Sequence, residues 1–189
     1  MNNRPIIGLL LGDASGVGPE IVAKLIARGI TESMCRPVII GDIRTFEAGL
    51  RTFGGNAEYY PIRDIDDADW TKGYPILDTG DQDPQRITYG KFDSYCGTAC
   101  INMLKLACDL CKKRKIAGFC FAPFNKTALK MCGCKVESEH YLMAEEFGVA
   151  GPFGEINVVD KLMSVRVTSH IPIKEVAKTI KIEKILSTI

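Results

Sequence analysis

Gly12-Asp13-Ala14-Ser15-Gly16-Val17-Gly18-Pro19-Glu20 lies between a strand-like run, Pro5 to Leu11, and a helix-like run, Ile21 to Ala27. Three glycines within seven residues let the backbone turn sharply and approach a ligand closely. Pro19 suits the first turn of a helix, where its missing N–H costs nothing. Amides in such a turn face the positive end of the helix dipole and are disposed to hold an anion. Glycine and proline alone are equally consistent with a strand-to-helix turn that binds nothing. Asp13 moves the reading toward function, because a carboxylate after a first strand sits where open α/β sheets build their active sites. The loop is neither GxGxxG nor a Walker loop, since no Lys-Ser/Thr follows its last glycine.

Outward from this loop, apolar runs alternate with amphipathic ones. Pro37 to Gly41 reads as a short buried strand, Thr45 to Phe53 as a helix stopped by Gly54-Gly55. Residues 56–93 are less regular, with prolines at 61, 75 and 84. Ser94 to Lys115 is strongly helical, with Ala99, Met103, Leu106, Leu110 and Cys111 on one face. Ala117 to Ala122 is the next strand and runs into the turn and helix start Pro123-Phe124-Asn125-Lys126-Thr127-Ala128-Leu129. A helix-like stretch, Leu142 to Phe147, follows. Val158 to Val167 holds one or two further strands, ending at Thr168-Ser169-His170, before the helical Lys174 to Lys181. Strands separated by helices specify an α/β fold, a largely parallel sheet with helices on both faces.

The bulk composition narrows the function classes. Of 189 residues, 46% are hydrophobic and 25% charged, as in a soluble protein with a real core. A formal net charge of +1 gives no electrostatic argument for nucleic acid or a membrane surface, and neither is expected as a partner. No apolar run approaches the length of a membrane span. Met1-Asn2-Asn3-Arg4 begins no apolar leader, so the expected location is cytoplasmic.

The eight cysteines include Cys108-x-x-Cys111 and Cys132-Gly133-Cys134, but no second pair at zinc-ribbon spacing answers either. Small cysteines packed into a core are the preferred reading. The acidic cluster Asp64, Asp66, Asp67 and Asp69 reads as a solvated turn. Only two histidines exist, His140 and His170. Two imidazoles are short of a stable first-row metal site, which takes three or more protein ligands. His170 ends a strand-like run and is expected at a strand's C-terminal tip. Lys126 is a candidate contact for a phosphate or carboxylate, or an ordinary surface lysine.

Read in order, four segments resemble the PdxA family, the 4-hydroxythreonine-4-phosphate dehydrogenases with their phosphothreonate and phosphoerythronate relatives. They are Gly12 to Ile21; Thr88-Tyr89-Gly90-Lys91 with Gly97-Thr98-Ala99; Ala122 to Leu129; and Val167-Thr168-Ser169-His170-Ile171-Pro172-Ile173. The resemblance implies a three-layer α/β/α fold of the isocitrate and isopropylmalate dehydrogenase type, incomplete at its C-terminus. It divides the chain into 1–125, the first α/β domain, and 126–189, the start of a second, and implies a homodimer. It also implies NAD-dependent oxidation, with loss of CO₂, of a small phosphorylated hydroxy acid such as 4-phosphooxy-L-threonine or 4-phospho-threonate, in pyridoxine biosynthesis. A divalent cation (zinc, magnesium or cobalt) would act as Lewis acid. The resemblance carries substrate binding onto His140 with Tyr141, and metal ligation onto His170. Family members have Gly-His-Thr-Glu around the substrate histidine, where this chain has Glu139-His140-Tyr141-Leu142; their Asp-Pro-Ala-Gly is Asp13-Ala14-Ser15-Gly16 here.

In the family, two further metal-binding histidines and most phosphate and NAD contacts lie beyond the position of Ile189. The expectation is therefore the N-terminal part of a longer enzyme, with no cofactor-binding residue assigned in this chain. It carries a second expectation, that the isolated chain is marginally stable or poorly soluble. The alternative is a truncated, inactive remnant that binds a phosphorylated ligand or a partner. A phosphate acyltransferase of related architecture is a third reading.

Overall fold

In the computed structural model, which describes residues 4–134 and 139–189, the apolar run before the glycine loop is strand β1 (Ile6–Leu10). It is followed by helix α1 (Gly18–Ala27), strand β2 (Arg36–Gly41) and helix α2 (Ile43–Phe53). Val38, Ile39 and Ile40 of β2 are all fully buried, the continuous apolar run of a strand covered on both faces. Asp42 caps α2 by accepting from the Arg44 amide, and Gly54 ends it in the left-handed region at φ 70°.

Two strands lie where the sequence reads as irregular: β3 (Tyr59–Ile62) and β4 (Tyr74–Asp78). Their prolines are tolerated for a positional reason. Pro61 is on β3, an edge strand, and Pro75 precedes the point where β4 begins to pair with β2, at Ile39 opposite Ile76. Helix α3 (Ser94–Lys112) then crosses to β5 (Gly118–Phe121), and helix α4 (Lys126–Met131) follows.

The five strands form one sheet in the order β3-β4-β2-β1-β5, and every neighbouring pair is parallel. This bears out the α/β reading. α1 packs on α2, while α3 lies against β1, β2, β5 and α4. Right-handed crossovers put α1 and α2 on one face and α3 on the other. The buried face of α3 is centred on Cys96, Cys100, Met103, Leu104, Ala107 and Cys108. Ala99, Met103 and Leu110 are buried as expected, whereas Leu106 and Cys111 are only half-buried. Cys35 is the fourth buried cysteine; Cys111, Cys132 and Cys134 are half-buried, and Cys120 is exposed.

Packing divides the chain into two compact units, Met1–Lys135 and Val136–Ile189, so α4 goes with the parallel sheet. The second unit contains helix α5 (Glu139–Glu146), strands β6 (Ile156–Val159) and β7 (Leu162–Val165), and helices α6 (Ile173–Thr179) and α7 (Ile182–Leu186). β6 and β7 are an antiparallel hairpin, Ile156 opposite Val165, turning through Asp160 at φ 51°. Among the described residues no helix is long and apolar enough to cross a membrane.

Candidate functional site

The glycine loop leaves the C-terminal end of β1 beside the chain leaving β5. The Ala122 amide donates to the Leu10 carbonyl at 3.1 Å, and the Asp13 amide to the Pro123 carbonyl at 3.0 Å. Gly12, at φ 77°, lies so close to this second segment that a Cβ would fall 2.8 Å from the Ala122 and Pro123 carbonyl oxygens. Only glycine meets both demands. A third segment joins through the Gly90 amide, which donates to the Ser15 carbonyl at 2.8 Å. A fourth contact is made where α3 and α4 meet: a Cβ on Gly97 would stand 2.3 Å from the Ala128 carbonyl oxygen. Three separated stretches thus converge at the C-terminal ends of β1 and β5, where open α/β sheets place their ligands.

Within the loop, Asp13 is buried, and its Oδ1 accepts from the Ser15 amide at 2.8 Å and the Ser15 hydroxyl at 2.7 Å. The Gly16 amide donates to the Asp13 carbonyl at 3.0 Å. The amides of residues 13, 15 and 16 are therefore committed to the protein. These three amides are not available to the anion expected at this turn, whereas the first turn of α1 keeps amides without intrahelical partners, as any helix start does. Asp13 is a clip that shapes the loop. Burial, with the charges of Asp13 and Asp93 added, pushes the Cys96 thiol up to about 12, so it stays protonated beneath the loop.

Lys126 is the first residue of α4 and exposed, and among the described residues no carboxylate pairs with it. Asn125 caps that helix, its side chain accepting from the Thr127 amide at 2.9 Å and the Ala128 amide at 3.2 Å. At the neighbouring ends of β2 and β4, a polar junction is built around Asp42, which sequence reasoning missed. Its buried carboxylate accepts from Arg44 Nε at 3.0 Å, from the Arg44 guanidinium at 2.7 Å and from the Gln82 amide at 2.8 Å. Burial alone would raise the Asp42 pKa, but these donors outweigh it and hold the carboxyl below its usual value. The signal available was Asp42-x-Arg44 before an amphipathic run, a capping pattern.

In the second unit, His140 opens α5. Its Nδ1 lies 3.5 Å from Glu155 Oε1, and Glu155 also pairs with Arg166. The His140 ring stacks on Tyr141 with centroids 4.6 Å apart, and Phe153 meets Tyr141 edge-on at 5.2 Å. Leu142, where the family carries a carboxylate, is buried in the packing of α5. His140 and Tyr141 thus share one aromatic cluster with Phe153.

His170 departs from its expected setting. The strand before it belongs to the exposed hairpin, stops at Val165, and leaves His170 exposed in the following loop at φ 55°. Among the described residues no three His, Cys, Asp or Glu side chains cluster in a way that would hold a metal ion. His170 supplies one donor, which by itself does not fit a first-row metal.

A family model, pyridoxal phosphate biosynthetic protein PdxA, matches residues 33–189. The D-threonate 4-phosphate dehydrogenase of Cupriavidus necator is 31% identical over 178 residues, 94% of this chain and 53% of that protein. The crystal structure of a 4-hydroxythreonine-4-phosphate dehydrogenase from Burkholderia phymatum is similar with a TM-score of 0.87 at 31% identity, covering 97% of this chain and 56% of its own. That of 4-hydroxythreonine-4-phosphate dehydrogenase from Klebsiella pneumoniae gives a TM-score of 0.87 at 23% identity over 100% of this chain and 57% of its own, a likeness of fold. The chain spans about half the length of the curated relatives it matches.

Proposed function

The chain belongs to the PdxA family of pyridoxal phosphate biosynthetic proteins, and from that premise we propose that it serves a cytoplasmic dehydrogenase of small phosphorylated hydroxy acids. The reaction is oxidation of a secondary hydroxyl with loss of CO₂, on 4-phosphooxy-L-threonine or 4-phospho-threonate. The observation that carries this reading is the 31% identity, over 94% of the chain, to a D-threonate 4-phosphate dehydrogenase.

Removing a hydride from a carbinol requires an acceptor, and NAD supplies that chemistry when bound. A divalent cation, zinc, magnesium or cobalt, would be held with His170 as one donor. His140 and Tyr141 bind substrate. Glu155, beside Nδ1, steadies the His140 imidazole. The protein acts as a homodimer.

The test expresses the protein from its full reading frame and follows NADH formation with each substrate, with and without divalent metal. Metal-stimulated NADH from one of them is the expected result; none from either removes the substrate assignment. His140→Ala should raise KM, and His170→Ala should abolish the stimulation by metal.

A further inference from the structure

At the end of the sheet opposite the glycine loop, β1 and β2 begin and α3 terminates beside them. An open hollow of about 390 Å³ lies there, lined by Ile6, Arg36, Cys111, Arg114, Lys115 and Ile116. The proposed dehydrogenase activity makes no use of it.

The end of α3 is built in an unusual way. The Lys115 amide donates to the Leu110 carbonyl and the Arg114 amide to the Cys111 carbonyl, each at 2.9 Å. These are the paired bonds of a helix stop whose pivot residue is left-handed, a position glycine ordinarily fills. Here the pivot is Arg114, at φ 58°. A Cβ makes that conformation costly, so something other than chain reversal accounts for an arginine there. Cations complement the negative end of a helix dipole, but Lys112 and Lys113 supply that charge from unstrained backbone.

The cations of the hollow differ in what they bind. Lys115 is paired with Asp64 and Asp66. Arg36 donates from Nε to the Arg4 carbonyl at 3.1 Å and lays its guanidinium over the Trp70 ring, 4.7 Å from the centroid. Among the described residues neither Arg36 nor Arg114 has a carboxylate partner. Arg36, whose guanidinium stacks on Trp70, and Arg114, whose backbone is held in the left-handed turn, both line this hollow.

We propose that this hollow is a non-catalytic anion site that takes a phosphate group between Arg36 and Arg114. Guanidinium donors match the oxygens of a tetrahedral oxyanion, and two positive charges match a phosphate dianion.

Trp70 is the only tryptophan in the chain and lies against Arg36, so its emission reports on the site. The experiment titrates inorganic phosphate and, at matched ionic strength, potassium chloride. A saturable change in emission with phosphate and none with chloride is expected. Arg114→Gly should weaken that binding about tenfold, the loss of one charge-assisted donor. The same substitution should raise the melting temperature, because glycine relieves the left-handed turn. Arg36→Gln should abolish the response. An equal response to chloride, or unaltered phosphate binding by Arg114→Gly, overturns the proposal. Arg114→Gly leaves every side chain of the core in place and keeps the test intact if Arg36→Gln does not fold.

Discussion

Asp13 and Ser15 are closed on one another: a single carboxylate oxygen of Asp13 takes both the amide of Ser15, at 2.8 Å, and its hydroxyl, at 2.7 Å. This clip fixes the turn that carries the chain from β1 to α1, and Ser15 in turn receives the Gly90 amide. Ser15→Ala removes one of the two bonds and should cost about 1 kcal/mol. Asp13→Ala removes both and leaves the Ser15 amide without its acceptor, so its cost should be about twice as large. Urea denaturation of the two variants beside the parent checks the order. Equal losses would mean that the hydroxyl bond carries the clip and the amide bond adds nothing.

Asp42 gives the fold a pH-dependent component with a defined sign. Its pKa is lowered on folding from the usual value of 3.8, so the unfolded chain binds its proton more readily than the folded one. The stabilisation is present in full above the unfolded value and is lost as pH falls through the folded one. Asp42→Asn should destabilise by about 1.5–3 kcal/mol at neutral pH, the range for hydrogen bonds to a charged group. The gap between parent and variant should narrow below pH of about 4. Melting temperatures of both proteins across the acid range measure it, and a pH-independent gap would contradict the role given to the Asp42–Arg44–Gln82 junction.

Gln82 is fully buried, and although its amide is held by Asp42, neither polar atom of its side chain has a partner among the described residues. A buried carboxamide without partners costs free energy that a methionine of similar shape would not. Gln82→Met is therefore expected to stabilise by about 1 kcal/mol. A lower melting temperature for the variant would show that the carboxamide is satisfied in solution.

How much of this was legible beforehand depended on which part of the chain carried the pattern. β1, β2 and β5 declare themselves as short apolar runs and α3 as a long periodic one. β3 and β4 did not, because Pro61 and Pro75 break the apolar runs, and only sheet position reveals that an edge and a strand start tolerate them. The family resemblance was legible because its segments include glycines demanded by close approach, Gly12 and Gly97, and the family match over residues 33–189 bears it out. The commitment of the loop amides was hidden: Asp13-x-Ser15 spells an Asx turn, but the Pro123 carbonyl that takes the Asp13 amide arrives from 110 residues away. The place of His170 was misread because Val158 to Val167 looks like a sheet strand, while its partner is the adjacent strand of a hairpin.

Gly97 tests whether the converging segments act as one unit. Its Cα faces the Ala128 carbonyl so closely that a methyl group would sit 2.3 Å from the oxygen, and Cys132 Sγ would be 3.1 Å away. A carbonyl in a helix cannot swing aside as a flexible side chain can, so Gly97→Ala must push α4 off α3. Overpacking of this kind costs about 1–3 kcal/mol. The displacement would be transmitted through Asn125, the cap of α4, to Pro123 and so to the Asp13 amide that its carbonyl holds. Hydrogen exchange should therefore quicken at the Asp13 amide as well as through α4, while the amides of β3 and β4, on the far side of the sheet, keep their protection. Faster exchange confined to α4 would show that the glycine loop is held by its own Asp13–Ser15 clip and does not depend on the helix pair.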